Sequence, residues 1–80
     1  MIDTAAFIND FRLEFIDADS IAIEESTLFR ELDSWDSLTG MSILVMIQDN
    51  YSKDFSDADF TKCKSVGEIV SLLNNLSNND

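Results

Sequence analysis

Histidine is absent from the sequence, and cysteine occurs only once, as Cys63. A serine hydrolase needs a general base, most often histidine, and structural zinc sites are built largely from cysteine and histidine. A single cysteine also excludes a disulfide within the chain. We therefore expect no catalytic residue and no metal site, and we interpret Cys63 as a small, inert, buried hydrophobe.

Basic residues are scarce as well. Five lysines and arginines stand against sixteen aspartates and glutamates, which gives a formal net charge of −11. Nucleic acid and anionic membranes repel such a chain, whereas an enzyme with a basic docking patch attracts it. The charge therefore argues against nucleic-acid and membrane partners and favours enzymes as partners.

Long apolar segments are also missing. No run approaches the roughly 20 residues that cross a bilayer, and the segment Met1–Thr4 lacks the basic start of a signal peptide. Apolar residues nevertheless make up 45% of the 80 residues, as in an ordinary folded chain. We expect a cytoplasmic monomer with one domain over residues 1–80, of which about 75–80 form a frayed tail.

The spacing of the apolar residues predicts an all-α fold, a four-helix bundle with three main helices, one short third helix and a long first loop. The expected helices are Asp3 to Ile16, Ser37 to about Tyr51, a short one within 52–64, and one that starts at Ser65. The expected core residues are Phe7, Phe11, Phe15, Ile21, Ile23, Leu28, Phe29, Leu32, Ile43, Leu44, Ile47, Tyr51, Phe55, Phe60, Ile69, Val70, Leu72 and Leu73.

Capping residues mark the expected helix starts. Asp3 and Ser56 precede the first and third helices, and Ser65 with Glu68 forms a capping-box pattern before the last one. Residues 17–33 form the long loop, in which Ser26 is suited to cap a short helical turn up to residue 31.

The second helix carries two apolar stripes when its residues are placed about 100° apart. Ile43 and Ile47 define the core stripe, and Gly40 lies among them. Glycine costs up to about 1 kcal/mol against alanine in a helix, so Gly40 indicates a close packing contact. The narrower stripe consists of Leu38, Met41 and Val45. This stripe is either the edge of a broad core face or an exposed seam for a partner.

The segment Asp36-Ser37-Leu38 stands where a polar loop ends and the second helix begins. Asp36 is suited to cap the free N–H groups of the first turn, which leaves the Ser37 hydroxyl near the surface. A phosphate ester on that oxygen would lie at the positive end of the helix dipole. Three residues alone fit a simple helix cap better than a functional site, so the context of the segment decides.

In context, the segment resembles the motif of the acyl carrier protein family. It opens the second helix in a chain of carrier length, an acidic turn with Phe55 follows that helix, and Ser65-Val66-Gly67-Glu68-Ile69 opens the last helix. This order is similar to that of a carrier protein from Leu28 to about Leu73. The resemblance implies that Ser37, flanked by the motif residues Asp36 and Leu38, carries 4'-phosphopantetheine taken from coenzyme A. The thiol of this arm would hold an acyl group as a thioester.

The resemblance also implies partners. A phosphopantetheinyl transferase would install the arm, and enzymes such as ketosynthases or ligases would load and process the cargo. Carrier proteins use the second helix for recognition, which favours the docking interpretation of Leu38, Met41 and Val45. The chain itself is not expected to be an enzyme, because the arm supplies the thiol and the partners supply the chemistry.

Two departures from the family pattern leave the pathway open. Carriers of fatty-acid synthesis line the second helix with several acidic residues, whereas here Asp49 is the only one after Asp36. Trp35 before the motif resembles carriers of specialised pathways. The expected pathway therefore stays broad: fatty-acid synthesis, polyketide synthesis or a related one. An aminoacyl or peptidyl carrier is the near alternative, and an unmodified acidic helical interaction module is the distant one.

A cargo pocket is a further implication of the resemblance. In carriers that shelter an acyl chain, the cavity opens between the second and third helices. The resemblance places Phe60 and Cys63, together with Ile47, at this pocket. An inward ring at Phe60 fills volume in a close-packed interior, so we expect a small pocket and poor sequestration of long chains.

Overall fold

The computed structural model describes residues 2–77. Within this range the chain contains no strand and forms the predicted four-helix bundle. The elements are α1 (Thr4–Arg12), a 3-10 turn (Phe29–Glu31), α2 (Ser37–Asn50), α3 (Asp57–Lys62) and α4 (Val66–Ser77). None of the helices in these residues is long and apolar enough to span a membrane.

The predicted capping residues begin the helices. Asp3 and Asp36 each accept a hydrogen bond from a backbone N–H three residues further on, at 3.2 Å and 2.7 Å. Ser65 does the same at the start of α4, at 3.3 Å. Each bond satisfies one of the N–H groups that the first turn of a helix leaves without a partner. Local chemistry therefore fixes where the helices start.

The first helix is shorter than predicted, because α1 ends at Arg12 and not at Ile16. After it, the N–H groups of Glu14 and Phe15 donate to carbonyls only three residues back, which tightens the chain into turns. The Arg12 guanidinium donates to the Ala18 carbonyl at 2.6 Å and holds these turns against the helix end. Phe15 stays buried although it lies outside the helix.

The long first loop contains a single 3-10 turn in its described structure, and Ser26 does not cap it. Instead, Thr27 Oγ1 accepts from the Glu24 N–H at 2.8 Å just before the turn. Phe29 and Ile23 are buried as expected, but Leu28 is 46% exposed and does not belong to the core.

An aromatic cluster forms the centre of the bundle. Its rings pack edge-on or tilted at centroid distances between 5.1 and 6.3 Å, apart from one stacked pair. The cluster consists of Phe7, Phe11, Phe15, Phe29, Trp35, Tyr51, Phe55 and Phe60. Aliphatic side chains from α2 and α4 close it, and their members Ile43, Ile47, Ile69 and Leu73 are fully buried. Every helix therefore contributes to one common core.

The last helix continues to Ser77, into the segment 75–80 for which a frayed tail was expected. Leu76 packs against the core, and the Asn74 side chain accepts the Ile2 N–H at 2.9 Å. These contacts give the helix reasons to continue that the Asn-rich and Ser-rich composition hides. Residues 78–80 lie outside the described residues.

Candidate functional site

Ser37 is the first residue of α2, and its side chain is exposed. Asp36 fixes the backbone of the first helical turn, which follows Ser37, through two hydrogen bonds. Its carboxylate accepts the Thr39 N–H at 2.7 Å, and its carbonyl accepts the Gly40 N–H at 3.0 Å. The hydroxyl of Ser37 therefore projects from a helix start whose backbone is already fixed.

The electrostatics of this helix start suit an added phosphate. The Thr39 N–H bond lowers the pKa of the Asp36 carboxyl, so Asp36 stays ionised and keeps its capping role at neutral pH. The first turn of α2 contains no acidic residue, in contrast to those of α3 and α4. Apart from the Asp36 cap, no carboxylate competes with an anion at the positive end of the α2 dipole, where a phosphate ester on Ser37 would be stabilised.

Trp35 fixes the position of the motif relative to the core. Its indole is partly buried and lies 5.4 Å from the Phe29 ring and 6.2 Å from the Phe15 ring, centroid to centroid. One turn into α2, Gly40 lies against the same indole, and a Cβ there would be 3.0 Å from Trp35 Cζ2. The close contact predicted for Gly40 is confirmed, and a side chain there would require the indole to shift by a few tenths of an ångström.

The apolar seam of Leu38, Met41 and Val45 is exposed, at 75%, 66% and 54% respectively. It is therefore not the edge of a broad core face. With the neighbouring turns of α2, the seam lines an open groove of about 560 Å³. Glu14 and Asp49 place two carboxylates at this groove. Apolar side chains exposed next to one another in this way are typical of a surface that binds a partner.

A second cleft lies between α2 and α3, and Ser37 is on its rim. Its volume is about 240 Å³, and Phe60, Trp35, Gly40 and Leu44 form its apolar lining. This is smaller than the ~300–1,000 Å³ of typical ligand pockets. Of the three residues that the resemblance assigned to a cargo pocket, only Phe60 lines this cleft.

The other two predicted pocket residues lie elsewhere. Ile47 is fully buried in the core, where it packs and lines no cleft. Cys63 is the C-cap of α3, is buried, and borders a separate groove next to α4. Burial raises the pKa of the Cys63 thiol, so it stays protonated and unreactive at neutral pH. The structure therefore places Phe60 at the α2–α3 cleft and Ile47 and Cys63 away from it.

Arg30 is a residue of the site that the sequence analysis missed. It belongs to the 3-10 turn, and its side chain lines the cleft that Ser37 borders. The one available signal was its isolation, since no other basic residue occurs between Arg12 and Lys53.

One comparison with known proteins agrees with this interpretation of the site. Residues 12–73 match the family model described as the phosphopantetheine attachment site. The chain belongs to this family. It is an attachment domain for 4'-phosphopantetheine, as the resemblance implied. Comparisons with curated proteins and with solved structures gave no significant match.

The matched range of this carrier covers every feature of the site described above. It begins at the end of α1 and ends within α4, so it includes the α2 start, the seam and the α2–α3 cleft. The residues around Ser37 fit the group because a hydroxyl is exposed at a helix N-terminus whose first turn lacks acidic side chains.

Proposed function

We propose that Ser37 is the residue that carries the arm, and that this carrier presents an acyl group to biosynthetic enzymes of a fatty-acid, polyketide or related pathway. The exposed Ser37 hydroxyl, at the capped start of α2 within the matched family range, carries this proposal. The carrier itself holds the cargo, and its partners perform the reactions.

The residues of this chain account for the attachment step. Ser37 Oγ forms a phosphodiester with the phosphate of the pantetheine portion of coenzyme A, whose nucleotide portion leaves. The proton of the hydroxyl passes to a base of the transferase, because the chain contains no histidine to take it. Bound 4'-phosphopantetheine supplies the thiol that forms the thioester. Asp36 holds the helix start, and the helix dipole stabilises the phosphate.

The seam next to Ser37 supports a docking role for Leu38, Met41 and Val45. Its side chains are more than half exposed, so a partner can bury them without unfolding the carrier. Glu14 and Asp49 at the same groove complement basic groups on the partner surface. The transferase and the loading or processing enzymes are the expected occupants, each with an apolar surface bordered by basic residues.

An aminoacyl or peptidyl carrier is the second candidate. It shares the arm and the serine, and the sparse acidity of α2, with Asp49 as the only acidic residue after Asp36, favours it over a housekeeping fatty-acid carrier. The loading enzyme distinguishes the two. An acyl carrier accepts cargo from an acyl-transferring ketosynthase or ligase, whereas an aminoacyl carrier is loaded by an amino-acid-activating enzyme.

The test is the intact mass after incubation with coenzyme A and a phosphopantetheinyl transferase of broad specificity. The native protein should gain one arm, and Ser37→Ala should gain none. Ser42→Ala removes another exposed hydroxyl from the same helix and should gain one arm like the native protein. An arm on Ser37→Ala would disprove the attachment residue, and a native protein without an arm would favour the unmodified interaction module.

A further inference from the structure

Arg30 connects the first loop to the end of α3. Its guanidinium donates to the carbonyl of Phe60 at 2.8 Å through one terminal nitrogen and to the carbonyl of Cys63 through the other. These carbonyls belong to the last turn and the C-cap of α3, at the negative end of the helix dipole, where a cation is favoured. A single planar group therefore fixes the end of the shortest helix.

The same guanidinium also lies over three aromatic rings. Its carbon is 4.7 Å from the centroid of Phe29, 5.1 Å from that of Phe60 and 5.8 Å from that of Trp35, within the range of cation–π contact. The Phe29 and Phe60 rings are themselves stacked, 5.7 Å apart and nearly parallel. Arg30 thus holds both the backbone and the side chain of Phe60.

Phe60 forms part of the wall of the cleft that a chain attached at Ser37 would enter most directly. The cleft bordered by Ser37 is only about 240 Å³, and Phe60 and Trp35 form part of its lining. Phe60 is also the one buried residue of α3, so α3 cannot move away from α2 while this ring stays in place. A deeper cavity would require Phe60, and α3 with it, to move.

We propose that Arg30 is a positioning residue that keeps Phe60 in the cleft and thereby keeps long acyl chains outside the bundle. The cargo class that follows is a short or polar acyl group, which loses little by remaining in water. This inference rests on the proposed role of Ser37 as the attachment residue.

The experiment compares two cargo lengths on three proteins. The native protein, Arg30→Gln and Arg12→Gln are each loaded at Ser37 with a butyryl or a dodecanoyl arm from the acyl-coenzyme A, and intact mass confirms the loading. Arg12→Gln is the matched control. Like Arg30→Gln, it removes one positive charge. It also breaks the hydrogen bond from Arg12 to the Ala18 carbonyl of the first loop, which lies away from the cleft. Thermal unfolding then gives the difference in Tm between the dodecanoyl and butyryl forms of each protein.

We expect this difference to stay within roughly 1 °C for the native protein and Arg12→Gln, and to reach about 4 °C or more for Arg30→Gln. A merely structural arginine would lower both Tm values equally and leave the difference unchanged. If Arg30→Gln does not fold, Arg30→Lys replaces it, because lysine keeps the charge but lacks the planar fork that donates to two carbonyls.

A native protein that the long chain stabilises by 4 °C or more would overturn the inference, and so would an Arg30 variant without a chain-length difference. Either result is distinct from a failure of the proposed function. If the proposed function fails, the mass measurement will already show that no arm is attached to Ser37.

Discussion

The starts of α2 and α3 are built in different ways. At α3, Ser56 and Asp59 bond reciprocally, with the Asp59 N–H donating to Ser56 Oγ at 3.1 Å and the Ser56 N–H to Asp59 Oδ2 at 3.0 Å. Asp57 adds a second carboxylate to the first turn. At α2, Asp36 caps in one direction only, and no acidic residue follows it in the first turn.

The difference separates a helix start that only needs stability from the one at which we propose that a group is attached. The carboxylates at α3 already compensate its dipole, and its capping hydroxyl is engaged by the backbone. At α2 the cap is supplied by Asp36, so the hydroxyl of Ser37 is not needed for capping. No further carboxylate lies in the first turn there, so a phosphate on Ser37 would still be stabilised by the helix start.

The largest expected effect comes from removing the hydroxyl at each start. Ser37→Ala should lose the arm completely while its free energy of unfolding changes by less than about 0.5 kcal/mol. Ser56→Ala should accept the arm normally but lose about 1 kcal/mol of stability, because the cap is broken. Intact mass and urea denaturation of both variants measure this. Loss of arm transfer in a folded Ser56→Ala would contradict the comparison.

Removal of the Phe60 ring should give the next largest effect. Phe60 is the one buried residue of α3, whereas α2 buries several, so Phe60→Ala should lower the free energy of unfolding by roughly 3 kcal/mol or more. A dodecanoyl arm should recover part of this loss by filling the cavity, and a butyryl arm should not. Lys62→Ala, which truncates an exposed neighbour that does not line the cleft, serves as control. Equal stabilities for the two arms on Phe60→Ala would show that this ring does not limit the cleft.

A charge on the seam should impair transfer more than folding. Met41→Glu remains hydrated in the free carrier, because Met41 is 66% exposed, but must be desolvated in a complex. We expect arm transfer to slow about tenfold or more, corresponding to about 1.4 kcal/mol, with little change in Tm. Ser71→Glu adds the same charge on the exposed side of α4 and should transfer at the native rate. If unfolding explains the whole loss in Met41→Glu, the seam is not a docking surface.

The smallest expected effect is a pH dependence of the free energy of unfolding, which the starts of α2 and α3 share. Backbone N–H bonds lower the pKa of Asp36 and of Asp59, with Thr39 and Ser56 as the respective donors. A carboxyl whose folded pKa is lower contributes stability above its unfolded pKa of about 3.9 and loses it as the pH falls through the folded value. Urea denaturation from about pH 6 to about pH 3 should therefore show a smaller acid loss for Asp36→Asn than for the native protein. An unchanged acid loss would mean that Asp36 contributes nothing to it.

The helix starts were predictable because a cap is a local feature. Asp3, Asp36, Ser56 and Ser65 bond to N–H groups only three residues away, so their spacing in the sequence contains the information. The end of α1 was not predictable in the same way. Phe15 continues the helical spacing of its neighbours and is buried, but it reaches the core from a turn.

The site beyond Ser37 depended on contacts between distant residues. Arg30 bonds to carbonyls 30 and 33 residues further along the chain, and no local pattern indicates such a pair. Placing the residues of α2 about 100° apart predicted the stripe of Leu38, Met41 and Val45. Whether this stripe is exposed depends on where the first loop packs. Of the three residues expected at a cargo pocket, only Phe60 lines the α2–α3 cleft, because the side of α3 that Cys63 faces depends on how α3 packs against α4.

The packing of Gly40 against Trp35 also gives the molecule an intrinsic fluorescent reporter at the start of α2. Trp35 is the only tryptophan in the chain and precedes the attachment motif directly. Its indole contacts Gly40 of α2, Phe60 of α3 and the cation of Arg30. Any event that shifts the start of α2 or loosens α3 must change the surroundings of this fluorophore. Arm transfer and cargo loading can therefore be followed by intrinsic emission, without a label on the carrier.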